Sequence, residues 1–351
     1  MRAIFETLDA MEMNKMNVLH WHLVDDQSFP FVSETYPELS EKGAFNARTH
    51  VYHRKDVEAV LEYARVRGIR VLAEFDTPGH TQSWGKGMPK LLTQCYDKDH
   101  KPKLGIWGVL DPSQEATFEV LQKLFLELSR RFPEQYLHLG GDEVDFSCWQ
   151  SNPGVKAFME RMHFGNDYKR LESYYIQRVV KMVESLAKSY IVWQEVFDDN
   201  VTLAPDTVVH VWKGKGWQLE MQKVTERGLR VLLSAPWYLN HISYGTDWIK
   251  YYEVDPLNFN PANSSKATDL VMGGEACMWG EWVDASNLIS RTWPRASAVA
   301  ERLWWGTNTK PTVTPAIKSR FHDQHCRMQT LGLRVGPIDG PGLYCPCDYA
   351  M

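Results

Sequence analysis

The sequence predicts an α/β fold: a (β/α)8 barrel without its first strand, continuing into a C-terminal helical tail. Short apolar segments alternate with helical patterns, which is typical of a parallel sheet covered by helices. Most strands end in Asp, His, Glu, Trp or Tyr, and in a barrel such ends converge on the mouth that holds the active site. A doubly wound sheet shows the same alternation but is disfavoured, because the chain has no GxGxxG or P-loop motif.

The expected elements follow from the apolar patterns. Strands are predicted over residues 17–23, 69–75, 136–139, 190–193, 208–212, 229–233 and 270–272. Helical spacing predicts helices between them, one at the start of the chain, and two in the tail over about 294–305 and 315–331. We expect residues 1–351 to form a single barrel domain.

Composition and charge exclude several classes of protein. The chain is 44% apolar and 24% charged with a net charge of −5, which excludes disordered and fibrous proteins. A mildly acidic chain binds polyanions poorly, so nucleic acid is not an expected partner. No run of about 18 apolar residues occurs, so no membrane span is expected. The first residues show no signal-peptide core.

The strongest chemical motif is Gly140-Gly141-Asp142-Glu143, which follows a buried strand. Two adjacent carboxyl groups in a partly dry pocket hold different protonation states, so one can act as an acid while the other stays anionic. The two glycines leave room for a ligand to approach the backbone. A solvated turn is the alternative for a bare Asp-Glu pair, but the strand and the glycines favour a catalytic pair.

Histidines near two strand ends allow several interpretations. His20 and His22 share one face of the first strand, and Asp76 and His80 follow the second. This set could bind zinc in a metal-dependent barrel hydrolase, or the two strand histidines could be hydrogen-bonded packing residues. His80 could also couple Asp25 to the Asp-Glu pair and tune a general acid. A capping turn is the simpler alternative for His80.

Large aromatic residues lie at or just after four different strand ends, namely Trp193, Trp212, Tyr238 and Trp279. Each ring alone could be an ordinary core residue. Together they favour a flat-walled apolar pocket with a few polar groups. Sugars offer apolar C–H faces to such rings and hydroxyls to nearby carboxylates, of which Glu281 would be one.

In combination these motifs resemble the catalytic domain of β-N-acetylhexosaminidases, glycoside hydrolase family 20, and are closest to the animal lysosomal enzymes. The resemblance lies in residues 18–26, 73–80, 138–144, 192–195, 235–240 and 273–281 and covers nearly the whole chain. It implies hydrolysis of terminal non-reducing N-acetyl-β-D-hexosamine residues (GlcNAc or GalNAc). It implies neither a cofactor nor a metal.

The resemblance also implies roles for individual residues. The mechanism would be retaining, with the substrate's own 2-acetamido oxygen as nucleophile and an oxazolinium intermediate. Glu143 matches the general acid and Asp142 the carboxylate that holds the acetamide N–H. Asp25 and His80 match a relay behind the acid. The residues that match substrate-binding positions are Trp193, Trp212, Tyr238, Asn240, Trp279 and Glu281.

By the same resemblance, Cys95 would pair with Cys148 and Cys326 with Cys345, while Cys277 would be a buried thiol. Disulfides imply a secretory route for the full-length protein, and the family implies the lysosome.

Sequons at Asn200 and Asn263 would suit such a glycoprotein. The implied partners are the glycan ends of glycolipids, glycoproteins or glycosaminoglycans and, at full length, a second hexosaminidase subunit.

Two features depart from the family pattern. The first barrel strand, with an arginine that grips the terminal sugar, and the upstream α/β domain would both precede Met1. A barrel without that strand exposes two unpaired edges, so we expect weak or no activity from these 351 residues alone. The alternatives to an active hexosaminidase are a truncated inactive or sugar-binding subunit and a metal-dependent barrel hydrolase.

Overall fold

A seven-stranded sheet and a separate hairpin account for the strands of the structure, a computed structural model that describes residues 1–241, 243, 245–259, 265–305, 312–340 and 344–345. The strands are β1 (Val18–Val24), β2 (Arg70–Phe75), β3 (Leu92–Tyr96), β4 (Pro102–Leu110), β5 (Tyr136–His138), β6 (Ser189–Trp193), β7 (Val208–Val211), β8 (Arg230–Leu233) and β9 (Val271–Gly274). The sheet order is β1-β2-β5-β6-β7-β8-β9. The β2–β5, β5–β6 and β8–β9 pairs are parallel, which confirms the α/β class. Each expected strand is present.

Helices separate the strands of the sheet, as the apolar spacing predicts. They are α1 (Arg2–Met13), α2 (Glu38–Gly43), α3 (Arg54–Arg65), α4 (Gln82–Gly87), α5 (Glu115–Arg131), α6 (Ser147–Ser151), α7 (Pro153–Arg161), α8 (Tyr168–Ser185), α9 (Gln194–Asp198), α10 (Trp217–Glu226), α11 (Trp248–Tyr252), α12 (Ser265–Thr268), α13 (Leu288–Thr292), α14 (Arg295–Trp305) and α15 (Pro315–Thr330). The last two form the expected helical tail. In the described part of the chain, no helix is long and apolar enough to cross a membrane.

The antiparallel hairpin of β3 and β4 was not predicted from the sequence. Its turn lacks an Asn-Gly or Asp-Gly pair, which is the usual hairpin signal. Instead, Asp97 Oδ1 accepts backbone N–H groups of Asp99 and Lys101, each over 2.9 Å. A side-chain acceptor therefore forms the turn, and apolar periodicity does not reveal it.

Contacts divide the chain into two units. The first comprises His20–Leu61 and Val71–Val209, and the second comprises Met1–Leu19, Glu62–Arg70 and His210–Met351. A single domain over residues 1–351 stays a prediction.

The first unit has a core between its strands and two long helices. Apolar residues recur three and four positions apart on α5 and α8, so each helix presents one continuous apolar stripe. The buried residues of these stripes include Phe118, Leu121, Phe125, Leu128, Ile176, Val179, Val180 and Val183. They share one core cluster with Phe75 of β2, Leu137 of β5 and Val192 of β6, so the two helices pack directly on these strands.

Ion pairs hold the polypeptide after β8 in the second unit. Arg295 of α14 is within 2.7 Å of Asp247 and donates a 2.6 Å hydrogen bond to the carbonyl of Leu239. The buried guanidinium of Arg302 lies 3.0 Å from Asp255. Such pairs compensate the cost of burying charge, and they anchor the loop that carries Tyr238.

Candidate active site

The turn after β5 brings the predicted Asp-Glu pair against the end of β2. The Gly141 N–H donates a 2.8 Å hydrogen bond to Asp76 Oδ1. Gly140 has a φ of +68°, and a Cβ at this position would lie only 1.7 Å from Asp76 Oδ1. Glycine is therefore required here by both backbone conformation and space.

The backbone at the predicted acid, Glu143, and at the nearby His80 has an unusual conformation. Glu143 and His80 have φ values of +51° and +53°, a region that residues with a Cβ rarely adopt. The Glu143 side chain is 60% exposed, and its Oε2 lies 3.6 Å from His80 Nε2. His80 Nε2 also lies 3.7 Å from Asp142 Oδ2. Among the described residues, five others with a Cβ also have a positive φ, but only His80 and Glu143 of these seven lie at the candidate site.

The residues predicted to form a relay also lie close together. Asp25, the residue after β1, lies with Oδ1 3.0 Å from His80 Nδ1 and with Oδ2 3.1 Å from His22 Nε2. It also accepts the backbone N–H of Asp26 over 2.7 Å. Asp25, His80 and Glu143 are thus brought together as the sequence predicts, and His22 joins them.

Burial and charge set the protonation of these groups. Burial opposes charge on His80, yet the contacts with Asp25 and the charge of Asp142 raise the pKa of His80 to about 9. Burial works against ionisation of Asp25, but hydrogen bonds from His22 and His80 hold its pKa well below the usual range. The relay is therefore an ion pair at neutral and mildly acid pH.

The other two carboxyl groups are harder to ionise. Burial raises the pKa of Asp142 to about 6, opposed by a hydrogen bond with Asp76 and by the charge of His80. Complete burial, with the charges of Asp142 and Glu74 nearby, raises the pKa of Asp76 well above normal. Apart from the contact with the Asp76 carboxyl, no described residue donates a hydrogen bond to the buried Oδ1 of Asp142, so this atom can accept one from a ligand.

Three histidines surround a buried glutamate, and two of them, His20 and His22, belong to the set considered above for zinc. His20 Nε2 lies 2.7 Å from Glu74 Oε2, His22 Nδ1 lies 3.0 Å from the same oxygen, and His138 Nδ1 lies 3.3 Å from Oε1. These contacts agree with the interpretation of the histidines as packing residues, because each of them contacts the Glu74 carboxylate. The sequence reading missed Glu74, although an ionisable residue inside an apolar strand is itself a signal.

Trp193, at the end of β6, belongs to the same cluster. Its indole Nε1–H donates a 2.9 Å hydrogen bond to Glu74 Oε1. The ring packs on His138, with 4.6 Å between centroids, and is almost completely buried.

The other predicted rings form a cluster in the second unit. Tyr238 is central, with its ring centroid 6.2 Å from that of Trp212 and 6.5 Å from that of Trp279. The His241 ring is 5.7 Å from that of Tyr238. Trp212, Tyr238 and Trp279 are all half-buried, so they are not ordinary core residues.

Polar groups adjoin this aromatic cluster. Asn240 Nδ2 donates a 3.0 Å hydrogen bond to Glu281 Oε2, so these two predicted binding residues meet. The buried Oδ1 of Asn240 has no hydrogen-bond partner among the described residues. Arg291, which the sequence reading missed, donates to the carbonyls of Asn240 and His241 over 3.4 and 3.1 Å and supports this turn.

The cysteines pair as the resemblance implies. Disulfides join Cys95 to Cys148 and Cys326 to Cys345, and Cys277 is a buried free thiol. Of the two sequons, the asparagine of the first, Asn200, is exposed. The second asparagine, at position 263, lies outside the described residues.

Comparisons with known proteins place these features in one family. The profile "Glycosyl hydrolase family 20, catalytic domain" matches residues 1–307. The chain is 55% identical over 337 residues to the beta-hexosaminidase subunit beta of Mus musculus, covering 96% of this chain and 62% of that protein. It is 54% identical over 339 residues to the subunit alpha of the same organism, covering 96% and 63%. The chain thus spans a little under two thirds of the length of these relatives.

A solved structure agrees with the fold. The X-ray structure of a Flavobacterium johnsoniae chitobiase superimposes with a TM-score of 0.81 at 28% identity, covering 95% of this chain and 50% of that chain. The solved structures of family 20 that the chain matches are (β/α)8 barrels, which confirms the predicted fold class.

Proposed function

Because this chain belongs to glycosyl hydrolase family 20, we propose that it is a β-N-acetylhexosaminidase that hydrolyses terminal non-reducing GlcNAc or GalNAc residues of glycoconjugates. The proposal rests on one observation above all: an exposed Glu143 carboxyl stands beside a buried Asp142, whose Oδ1 receives no hydrogen bond from any described residue other than the Asp76 carboxyl. The first group can exchange a proton with a substrate. The second can accept a hydrogen bond and face the charge that develops.

In the first chemical step Glu143 gives its proton to the glycosidic oxygen as the bond from C1 to that oxygen breaks. The carbonyl oxygen of the 2-acetamido group attacks C1, which yields an oxazolinium ion and the released alcohol. Asp142 accepts the acetamide N–H and stabilises the positive ring. The imidazolium of His80, 3.6 Å from Glu143 Oε2, stabilises the carboxylate that remains.

In the second step Glu143 acts as the base. It takes a proton from water, whose oxygen attacks C1 and opens the oxazolinium ring. The acetamide is restored and the sugar keeps its β configuration. Because no protein nucleophile has to reach the far face of the sugar, the two carboxyl groups can be neighbours in sequence.

The remaining substrate contacts are assigned from the match of their motifs to the family. Tyr238 would donate a hydrogen bond to the acetamide oxygen, and Asn240 and Glu281 would bind sugar hydroxyls. The unsatisfied Oδ1 of Asn240 supports its assignment. The residues proposed to wall the acetamide pocket are Trp193, Trp212 and Trp279.

Partners and compartment are proposed from the relatives. Two of them are named as the alpha and beta subunits of beta-hexosaminidase, and we propose that the full-length protein also associates with such a subunit. The two disulfides and the exposed Asn200 support a secretory route that ends in the lysosome. The substrates would be the glycan ends of glycolipids, glycoproteins or glycosaminoglycans.

The test uses the full-length protein and compares nitrophenyl β-glycosides that differ only in the 2-acetamido group. We expect the N-acetylglucosaminide to be hydrolysed and the glucoside to be inert, because only the first carries its own nucleophile. Glu143→Gln should lower kcat on the N-acetylglucosaminide by about 10²–10⁴-fold, the usual contribution of general acid catalysis. Glu160→Gln, an exposed residue of α7, is the matched control and should change nothing.

The other outcomes identify the competing functions. Equal cleavage of the glucoside would contradict the substrate-assisted mechanism. Binding of N-acetylglucosamine without turnover would favour the sugar-binding subunit. Activity that a chelator abolishes and zinc restores would favour the metal-dependent hydrolase.

A further inference from the structure

We propose that Glu74 is a positioning residue for this reaction, holding the acid–base chain through His22 and the Trp193 ring through its indole N–H. The inference rests on the proposed function. Glu74 lies on β2 and is completely buried, so it acts on the substrate only through other side chains.

The first branch is a continuous series of contacts between acidic and basic side chains. Glu74 Oε2 lies 3.0 Å from His22 Nδ1, and His22 Nε2 lies 3.1 Å from Asp25 Oδ2. Asp25 Oδ1 lies 3.0 Å from His80 Nδ1, and His80 Nε2 lies 3.6 Å from Glu143 Oε2. The position of Glu74 is therefore transmitted to the proposed acid through three side chains.

The second branch reaches the proposed pocket wall. Trp193 Nε1 donates a 2.9 Å hydrogen bond to Glu74 Oε1, and the indole also packs against the His138 ring. An indole has a single N–H donor, so this hydrogen bond selects one orientation of the ring. A wall built from Trp193 depends on that orientation.

The charges around Glu74 explain how it stays ionised while buried. The groups that face it are His20 and His22 from β1, His138 from β5, Trp193 from β6 and the buried Asp76 carboxyl that follows β2. Burial opposes ionisation, but the three histidines keep the pKa of Glu74 well below normal. Burial likewise opposes charge on His22, but Glu74 and Asp25 raise the pKa of His22 to about 10. One buried anion thus binds groups from three neighbouring strands.

Glu74→Gln tests the first branch, because it keeps the shape and an acceptor for the indole but removes the charge. Without that charge the pKa of His22 should return toward the ordinary value of about 6.5. His22 would then remain protonated near pH 5 and lose its proton near pH 7.5. We expect the loss in kcat relative to the unmodified protein to grow about tenfold between these pH values. A variant with only a structural defect would have its kcat lowered by the same factor at both pH values.

Trp193→Phe tests the second branch, because it keeps an aromatic ring but removes the donor. It should raise KM for the N-acetylglucosaminide by the same factor at both pH values. Glu127→Gln is the matched control: this carboxylate of α5 in the first unit accepts hydrogen bonds from Ser33 Oγ and two backbone N–H groups. It should leave both kcat and KM unchanged.

A measurement without turnover separates this inference from the proposed function. In protein with labelled histidines, NMR should place the His22 midpoint near 10 in the unmodified chain, and about 3 pH units lower in Glu74→Gln. A protein that hydrolyses no N-acetylhexosaminide would refute the proposed function, yet the titration would still decide the role of Glu74. An unmoved midpoint, or a loss in kcat that is independent of pH, would overturn the inference.

Glu74→Asp serves if Glu74→Gln does not fold. Aspartate retains the charge, but its side chain is one methylene shorter. The midpoint of the His22 titration should therefore stay high while kcat falls. Unchanged kcat and KM in Glu74→Asp would equally overturn the inference.

Discussion

Two residues of the candidate site have backbone conformations that residues with a Cβ rarely adopt. His80 and Glu143 have φ values of +53° and +51° although both carry a Cβ. Each such residue costs of order 1–3 kcal/mol, and the surrounding structure has to maintain it. Gly140 and Gly141 occupy the adjoining positions where a Cβ would collide with Asp76 or Val196. Part of the conformational cost of the fold is thus borne by the groups proposed to move protons.

Gly140→Ala should therefore destabilise the protein and abolish hydrolysis. The left-handed backbone costs an alanine about 1–2 kcal/mol, and the overlap with the Asp76 carboxyl adds about 1–3 kcal/mol. Differential scanning calorimetry and the nitrophenyl assay measure the two effects.

Gly165→Ala is the matched control, since Gly165 has a φ of +62° but no atom within 4 Å of its added Cβ. It should show only the backbone cost and keep its activity. Equal stability losses in the two variants would contradict the steric argument.

At the scale of elements, the β3–β4 hairpin supports the loop that follows Glu143. The Cys95–Cys148 disulfide joins β3 to α6. Trp149 Nε1 donates a 3.0 Å hydrogen bond to the carbonyl of Leu110 at the end of β4. The hairpin therefore fixes the segment that follows the Gly140–Glu143 turn.

Removing this disulfide should destabilise the protein more than removing the second one. The first closes a loop with a sequence separation of 53, the second one of 19. From the loop-closure entropy of the unfolded chain, the first disulfide should stabilise the protein by about 4 kcal/mol and the second by about 3 kcal/mol. Denaturant unfolding of the Cys95→Ser/Cys148→Ser and Cys326→Ser/Cys345→Ser variants measures both. A larger loss in the second double variant would refute the ranking.

At the scale of the whole molecule, several titratable groups have raised pKa values, and these make the folded state more stable at acid pH than at alkaline pH. In the first unit the pKa values of Asp142, His80 and His22 are raised to about 6, 9 and 10. Burial and a hydrogen bond with Asp199 raise the pKa of Glu172 to about 9. Each of these groups binds its proton more tightly in the folded state than in the unfolded chain.

Stability should therefore fall as the pH rises from about 6.5 to about 9. A raised folded-state pKa contributes stability that is complete below the unfolded pKa and is lost as the pH passes the folded pKa, at about 1.4 kcal/mol per pH unit for each group. In this window Glu172, His80 and His22 all contribute. We expect the Tm to be higher near pH 5 than near pH 9, as measured by calorimetry.

Glu172→Gln removes one of these groups and should flatten the dependence. A Tm that stays constant or rises toward pH 9 would contradict the assignment. The depressed pKa values of Asp25 and Glu74 act in the opposite sense, and their stabilisation is lost only below about pH 4.

Much of the fold was predictable because local patterns encode it. The strands of the sheet are short apolar runs between helical patterns, and the structure has each of them within one or two residues of its expected ends. The exception is the β3–β4 hairpin, whose turn depends on the Asp97 side chain rather than on a characteristic dipeptide. The residues proposed to move protons could be singled out for a related reason, since Asp25, His80 and Glu143 lie within five residues of a strand end.

The sequence by itself determined the order of the elements and the chemical groups at the strand ends, because apolar periodicity and turn residues act over a few positions. Only the tertiary structure decided which groups meet. His20 and Glu74, 54 positions apart in the chain, lie 2.7 Å from each other, and Gly140 is required because Asp76 occupies the space of a side chain. Protonation depends on such distances and on burial, which arise only when parallel strands align in one register.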